Sequence, residues 1–244
     1  MTERANNQAD ATDAQGSEYD RLFYPYLFAG GKVSLDEVLN QVQHSTLEKC
    51  RDVIALRRAT LAASREALLA AAEAMARAFA AGATLLAFGN GGSTTDAQDL
   101  VTDLLQPPFA HWRPLPAIAL TNDIAVVTAV GNDVGFENIF TRQIIAFGRP
   151  GDIAVGISTS GNSLNVLHAF EQAKKQGLLT VGLAGYDGGK TRRSPAVDFC
   201  IISPGDHIPR IQEAQATVYH ALIELVQAHL AAEKVRADSD EVRR

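Results

Sequence analysis

A chain of 244 residues with 46% apolar composition can bury a substantial core, as one α/β domain or as two small ones. Its net charge of −6, with no stretch that concentrates lysine and arginine, excludes the electrostatic footprint of a nucleic-acid binder. Two cysteines, Cys50 and Cys200, argue for a reducing compartment rather than a disulfide framework. The polar N-terminus lacks a signal-peptide pattern, and no apolar run approaches the roughly 20 residues that span a bilayer. The expectation is a cytoplasmic protein with no membrane partner.

Residues 1–20 are rich in Asn, Gln, Asp, Ser and Thr and offer little to bury, so they are expected to be disordered. The aromatic stretch FYPYLFAGG that follows is expected to pack on the core or on a neighbouring subunit. From about Ser45 to Ala80 the chain is alanine-rich, with Leu61, Leu68, Ala72, Met75 and Phe79 at helical spacing and Gly82 as a stop. Short apolar runs then alternate with helical patterns. Thr84–Phe88, Leu115–Leu120, Asp152–Ile157, Leu178–Ala184 and Val197–Ile202 are the candidate strands. Strands separated by helix-length segments predict a doubly wound parallel sheet of five strands with helices on both faces. A last helix is expected over Ile208–Ala232, burying Ile211, Val218, Leu222, Leu225 and Val226, with a polar tail over 233–244. The pattern is that of one domain over residues 21–232.

In an open parallel sheet, ligands sit at the carboxyl ends of strands, where loops enter helices. Two loops have suitable chemistry: GNGGS (Gly89–Ser93) after the first strand and STSGNS (Ser158–Ser163) after the third. Their glycines admit a close ligand, their hydroxyls donate hydrogen bonds, and the helix that comes next adds free N–H groups. Asn90, Gly91, Gly92, Ser93, Ser158, Thr159, Ser160 and Ser163 are therefore candidate phosphate contacts. Either loop alone also matches ordinary helix capping. Neither carries GxGxxG in the first turn or the GK[ST] ending of a P-loop, so no nucleotide cofactor is expected.

GNGGS, AVGNDVGFENIF (Ala129–Phe140), GISTSGNSLNVL (Gly156–Leu167), GYDGGK (Gly185–Lys190) and RIQE (Arg210–Glu213) stand in an order and spacing that closely resemble the phosphoheptose isomerase family of sugar-isomerase (SIS) domains. The resemblance covers roughly residues 47–230. It implies a SIS fold, a homotetramer with active sites at subunit interfaces, and conversion of sedoheptulose 7-phosphate to an aldoheptose 7-phosphate through a cis-enediol. The family base is a glutamate on the helix after GNGGS, faced by a histidine of the last helix. Many members bind zinc through that glutamate, a histidine four residues before it, and a glutamine and the histidine of the last helix.

Residue by residue, Gln212 and His220 match that last-helix pair, whereas Asp99 stands for the first histidine and Asp103 for the glutamate. The resemblance thus implies Asp103 as base and His220 as its acid–base partner. It also implies a divalent metal at Asp99, Asp103, Gln212 and His220. A set of Asp, Asp, Gln and His is harder than the family set and would suit Mg²⁺ or Mn²⁺ as well as zinc. Asp133 and Asn90 match substrate-lining positions. Pro209 before RIQE and LQPP (Leu105–Pro108) are further departures, which permit a different phosphosugar. A second reading is a non-catalytic phosphosugar-binding or regulatory SIS protein, of the type that associates with the replication initiator. The retained carboxylates favour the enzyme. His44, His111, His168, His207 and His229 carry no motif and are taken as surface or packing residues.

Overall fold

The computed structural model describes residues 35–242, with side chains through Val235. The tail 1–20 and the FYPYLFAGG segment lie outside the described residues. The chain divides after Leu47 into two compact units, of which the second, from Glu48 onward, holds the sheet.

Helix α1 runs over Leu35–Ala80, starting earlier than Ser45, because the acidic Asp36 and Glu37 suit the positive end of its dipole. It stops where expected. Gly82 is left-handed at φ 93°, its N–H bonds Phe79 O and the Ala83 N–H bonds Ala78 O, a paired closure that satisfies the last carbonyls. Val53, Leu56, Thr60, Ser64, Ala72, Met75 and Phe79 form its buried stripe. Leu61, expected in that stripe, is instead 54% exposed. It comes directly after Thr60, and one residue of helical rotation, about 100°, turns it off the face.

Five parallel strands come after α1: β1 (Leu85–Gly89), β2 (Ala117–Ala119), β3 (Ile153–Ser158), β4 (Leu179–Gly185) and β5 (Phe199–Ser203). The expected strands fall on these with ends displaced by one or two residues, β2 being trimmed most. Between them lie α2 (Gly92–Leu105), α3 (Ile124–Asp133), α4 (Thr141–Phe147), α5 (Leu164–Lys175) and α6 (Gly189–Arg193). The spatial order is β2-β1-β3-β4-β5. Central strands are buried on both faces, as parallel strands covered by helices must be. The final helix, α7, runs over Ile208–Val242, ten residues past the expected end.

Along β1 alternate residues serve opposite cores. Leu85 and Ala87 join α1, α2 and α7 through Met75, Leu100 and Leu222, while Leu86 and Phe88 meet Phe140, Ile144 and Phe170 on the other side. On α7, Ile211, Val218, Leu222 and Val226 are buried as expected, and Leu225 packs against the core partly buried. Once that stripe fixes the helix, Glu, Lys, Arg and Ala beyond Ala232 extend it at little cost, because propagation needs no new nucleus. The polar tail is helical through Val242.

Candidate active site

The chain leaves β1 for β2 on one side and returns across it to β3 on the other. The crevice between β1 and β3 is the point where the winding reverses, where such sheets hold ligands. GNGGS and STSGNS are the two loops at this point. Reciprocal amide bonds join them: Asn90 Nδ2 donates to Asn165 Oδ1 and Asn165 Nδ2 to Asn90 Oδ1, each at 2.8 Å.

The loop backbones are tightly constrained. Gly91 is left-handed at φ 57°, and Ser93, at the start of α2, is buried. Gly161 is left-handed at φ 62°, and a Cβ there would lie 2.2 Å from the Gly188 carbonyl oxygen. GYDGGK therefore packs directly on the serine loop. Thr191 donates through both N–H and Oγ1 to Gly161 O, and Lys190 N–H donates to Asn162 Oδ1 at 3.0 Å. Asp187 accepts from Gly189 N–H, and this bond foremost holds its carboxyl below the ordinary range. The Ser158 and Ser163 hydroxyls lie 3.1 Å apart. Ser160 Oγ accepts from Asn162 N–H, and the Thr159 carbonyl accepts from Gly185 N–H.

The second part of the site is made of side chains from α2 and α7. Asp96, Asp99 and Asp103 share one face of α2, three and four residues apart. The packing of α7 against α2 brings His220 Nε2 to 3.4 Å from Asp103 Oδ2 and 3.5 Å from Asp99 Oδ2. The Asp103 side chain is 27% exposed, whereas those of His220 and Asp99 are each 52% exposed. Gln212, two turns before His220, lies against the first loop, since a Cβ on Gly92 would fall 2.0 Å from its Nε2. The structure thus gathers Asp99, Asp103 and His220 and sets Gln212 beside GNGGS. Asp133 stands differently. It is exposed at the end of α3 and accepts from Asn132 Nδ2, its own chain neighbour, rather than from a residue of either group.

Three features escaped the sequence. Tyr219 is buried and donates its hydroxyl to Asp99 Oδ2 at 2.6 Å. Burial foremost, then that bond and the carboxylates of Asp99, Asp96 and Asp103, raise its pKa far above the ordinary range. Asp96 Oδ2 is buried without a hydrogen-bond partner, and burial, followed by the neighbouring Asp99, pushes its carboxyl up to about 6. The Asn90–Asn165 pair is the third. Only Asp96 had a signal, its spacing to Asp99. Tyr219 lies about 100° around α7 from His220, so spacing alone gives no reason for both to meet α2.

The residues that would hold the implied metal are Asp99, Asp103, Gln212 and His220, and as they stand they are not drawn into a ready-made cage. The Asp99 oxygen nearest His220 is already engaged by a hydroxyl donor. Among the described residues no group of three His, Cys, Asp or Glu side chains is arranged to hold an ion.

A model of the SIS domain family matches residues 50–185, more than half of the chain. The phosphoheptose isomerase of Geotalea daltonii is 49% identical over 160 residues, which are 66% of this chain and 82% of that one. Among solved structures, a phosphoheptose isomerase from Francisella tularensis aligns with a TM-score of 0.70 at 34% identity, covering 78% of this chain and 98% of that one. That of Neisseria gonorrhoeae aligns at 0.68 and 33%, covering 78% and 99%. The chain belongs to the phosphoheptose isomerase family of SIS-domain proteins.

Proposed function

We propose that the protein is an aldose–ketose isomerase that converts sedoheptulose 7-phosphate into an aldoheptose 7-phosphate. The observation that carries the reading is the pairing of Asp103 with His220 across α2 and α7 at 3.4 Å. Moving a carbonyl from C2 to C1 needs one group to carry a proton between carbons and another to carry one between oxygens. Asp103 takes a proton from C1 of the ketose as the C1–C2 double bond forms, and His220 gives a proton to the C2 oxygen to form the cis-enediol. His220 then removes the O1 proton as the C1 carbonyl forms, and Asp103 returns its proton to C2. No oxidant or reductant is consumed.

The phosphate is assigned to the two loops, to Asn90, Gly91, Gly92 and Ser93 of the first and Ser158, Thr159, Ser160 and Ser163 of the second, with Gln212 beside the first loop. These contribute neutral donors and helix N-termini, so the tail is anchored without a lysine. Self-association as a homotetramer belongs to the same reading. It is supported by α3, an apolar helix none of whose residues is buried, and by exposed Ile124, Val134 and Phe136 in and beside it. A cytoplasmic location is supported by the free thiols of Cys50 and Cys200. No described helix is long and apolar enough to cross a membrane.

The test is incubation of purified protein with sedoheptulose 7-phosphate, with and without added Zn²⁺, Mg²⁺ or Mn²⁺, following the aldose product. Turnover that disappears in Asp103→Asn and His220→Ala is the expected result. Absence of turnover under every condition would favour a phosphosugar-binding protein without catalysis.

A further inference from the structure

The immediate neighbour of His220 in the chain makes the strongest unassigned contact of the site. Tyr219 is 2% exposed, so packing fixes its ring, and a buried phenol must find an acceptor or lose the hydrogen bond it had in water. Its acceptor is Asp99 Oδ2 at 2.6 Å, a charge-assisted bond of the stronger kind. That same oxygen lies 3.5 Å from His220 Nε2. The rings of Tyr219 and His220 are 4.5 Å apart at centroids and inclined by 58°. The imidazole thus has a fixed ring on one side and two carboxylates at Nε2.

We propose that Tyr219 is a positioning residue for the isomerisation: its hydroxyl fixes the Asp99 carboxylate, and Asp99 in turn holds the His220 imidazole in line with Asp103. The proposal rests on the isomerase reading for its effect on turnover, but the linkage itself is a matter of geometry. Asp99 is half-exposed, and without a donor its carboxylate is free to turn to water. His220 is equally exposed and would then keep one carboxylate where it had two. Asp99, at the position where the family places a metal ligand, becomes the middle member of a hydroxyl–carboxylate–imidazole chain.

Tyr219→Phe keeps the ring and removes the donor. The expected result is a kcat about tenfold lower with KM within about twofold, because the sugar's phosphate is anchored elsewhere. Asp99→Ala breaks the same chain from its exposed side without disturbing the buried ring. The double variant is then expected to be no slower than Asp99→Ala alone. The side-chain ¹H and ¹⁵N resonances of His220 supply a readout that needs no turnover, and both single variants should move them in the same direction. A kcat within twofold of wild type in Tyr219→Phe, full additivity of the two substitutions, or His220 resonances unmoved while kcat falls would each overturn the proposal. If the wild-type protein has no isomerase activity, the isomerase reading fails by itself, and the resonances still decide whether Tyr219 holds His220 through Asp99.

Discussion

The two halves of the site are built from different material. At the β1 and β3 ends the main chain does the work: left-handed Gly91 and Gly161, the buried Ser93, and a GYDGGK segment packed so close that Gly161 has no room for a Cβ. Between α2 and α7 there is no special backbone. Asp99, Asp103, Tyr219 and His220 sit on regular helices, and their arrangement depends on how two helices pack. A site made of backbone is rigid and insensitive to side-chain length, whereas one made of side chains can be retuned by a single methylene. The departures from the family pattern at Asp99 and Asp103 fall in the second half, where substitution is the easier change.

Substitutions in each half sharpen this contrast. The largest effect is expected at the helices: His220→Ala or Asp103→Asn should lower kcat by about 10²–10⁴-fold with little change in folding, read by turnover and thermal melting. In the loops the main damage should be to binding and stability. Gly161→Ala forces a Cβ against the Gly188 carbonyl at positive φ and should cost about 1–3 kcal/mol of stability, with KM raised, as followed by denaturant unfolding and steady-state kinetics. Ser158→Ala removes one hydroxyl, the partner of Ser163. It should raise KM by about 3–10-fold while kcat stays near wild type.

The smallest effect is a gain in stability. The Asp96 carboxyl is pushed up to about 6, so the stability tied to its protonated form is full below about pH 4 and is lost as pH rises through 6. A shift of this size would be worth ~3 kcal/mol for a fully buried group, and partial exposure reduces it to about 1 kcal/mol. Asp96→Asn should therefore melt roughly 2–4 °C above wild type near pH 7.5 and match it near pH 4. Equal melting temperatures at both pH values would show that the carboxyl is ordinary.

The same division explains what the sequence revealed. Alternating apolar runs and helical stripes located all five strands, and Gly82 marked the end of α1, because these signals depend on near neighbours. The two loops were legible as glycine- and serine-rich bends at strand ends for the same reason, although each taken alone matches a helix cap equally well. Asp99 and Asp103 stand at helical spacing, but their pairing with His220 could be drawn only through resemblance to a family, because α2 and α7 are more than a hundred residues apart in the chain. Tyr219 was invisible even so. It reaches Asp99 through the packing of α7 on α2, which no local spacing encodes. The extension of α7 beyond Ala232 was missed because a polar sequence reads as a tail until a buried stripe upstream anchors the helix.

Ser64 of α1 has a consequence far from the site. Its hydroxyl accepts from the Ile202 N–H at 2.8 Å and donates to the Ile202 carbonyl at 3.1 Å, occupying the outer rim of β5. At the opposite margin β2 spans only Ala117–Ala119. With one border covered at Ile202 and the other only three residues long, both margins of the sheet carry features that discourage addition of a foreign strand.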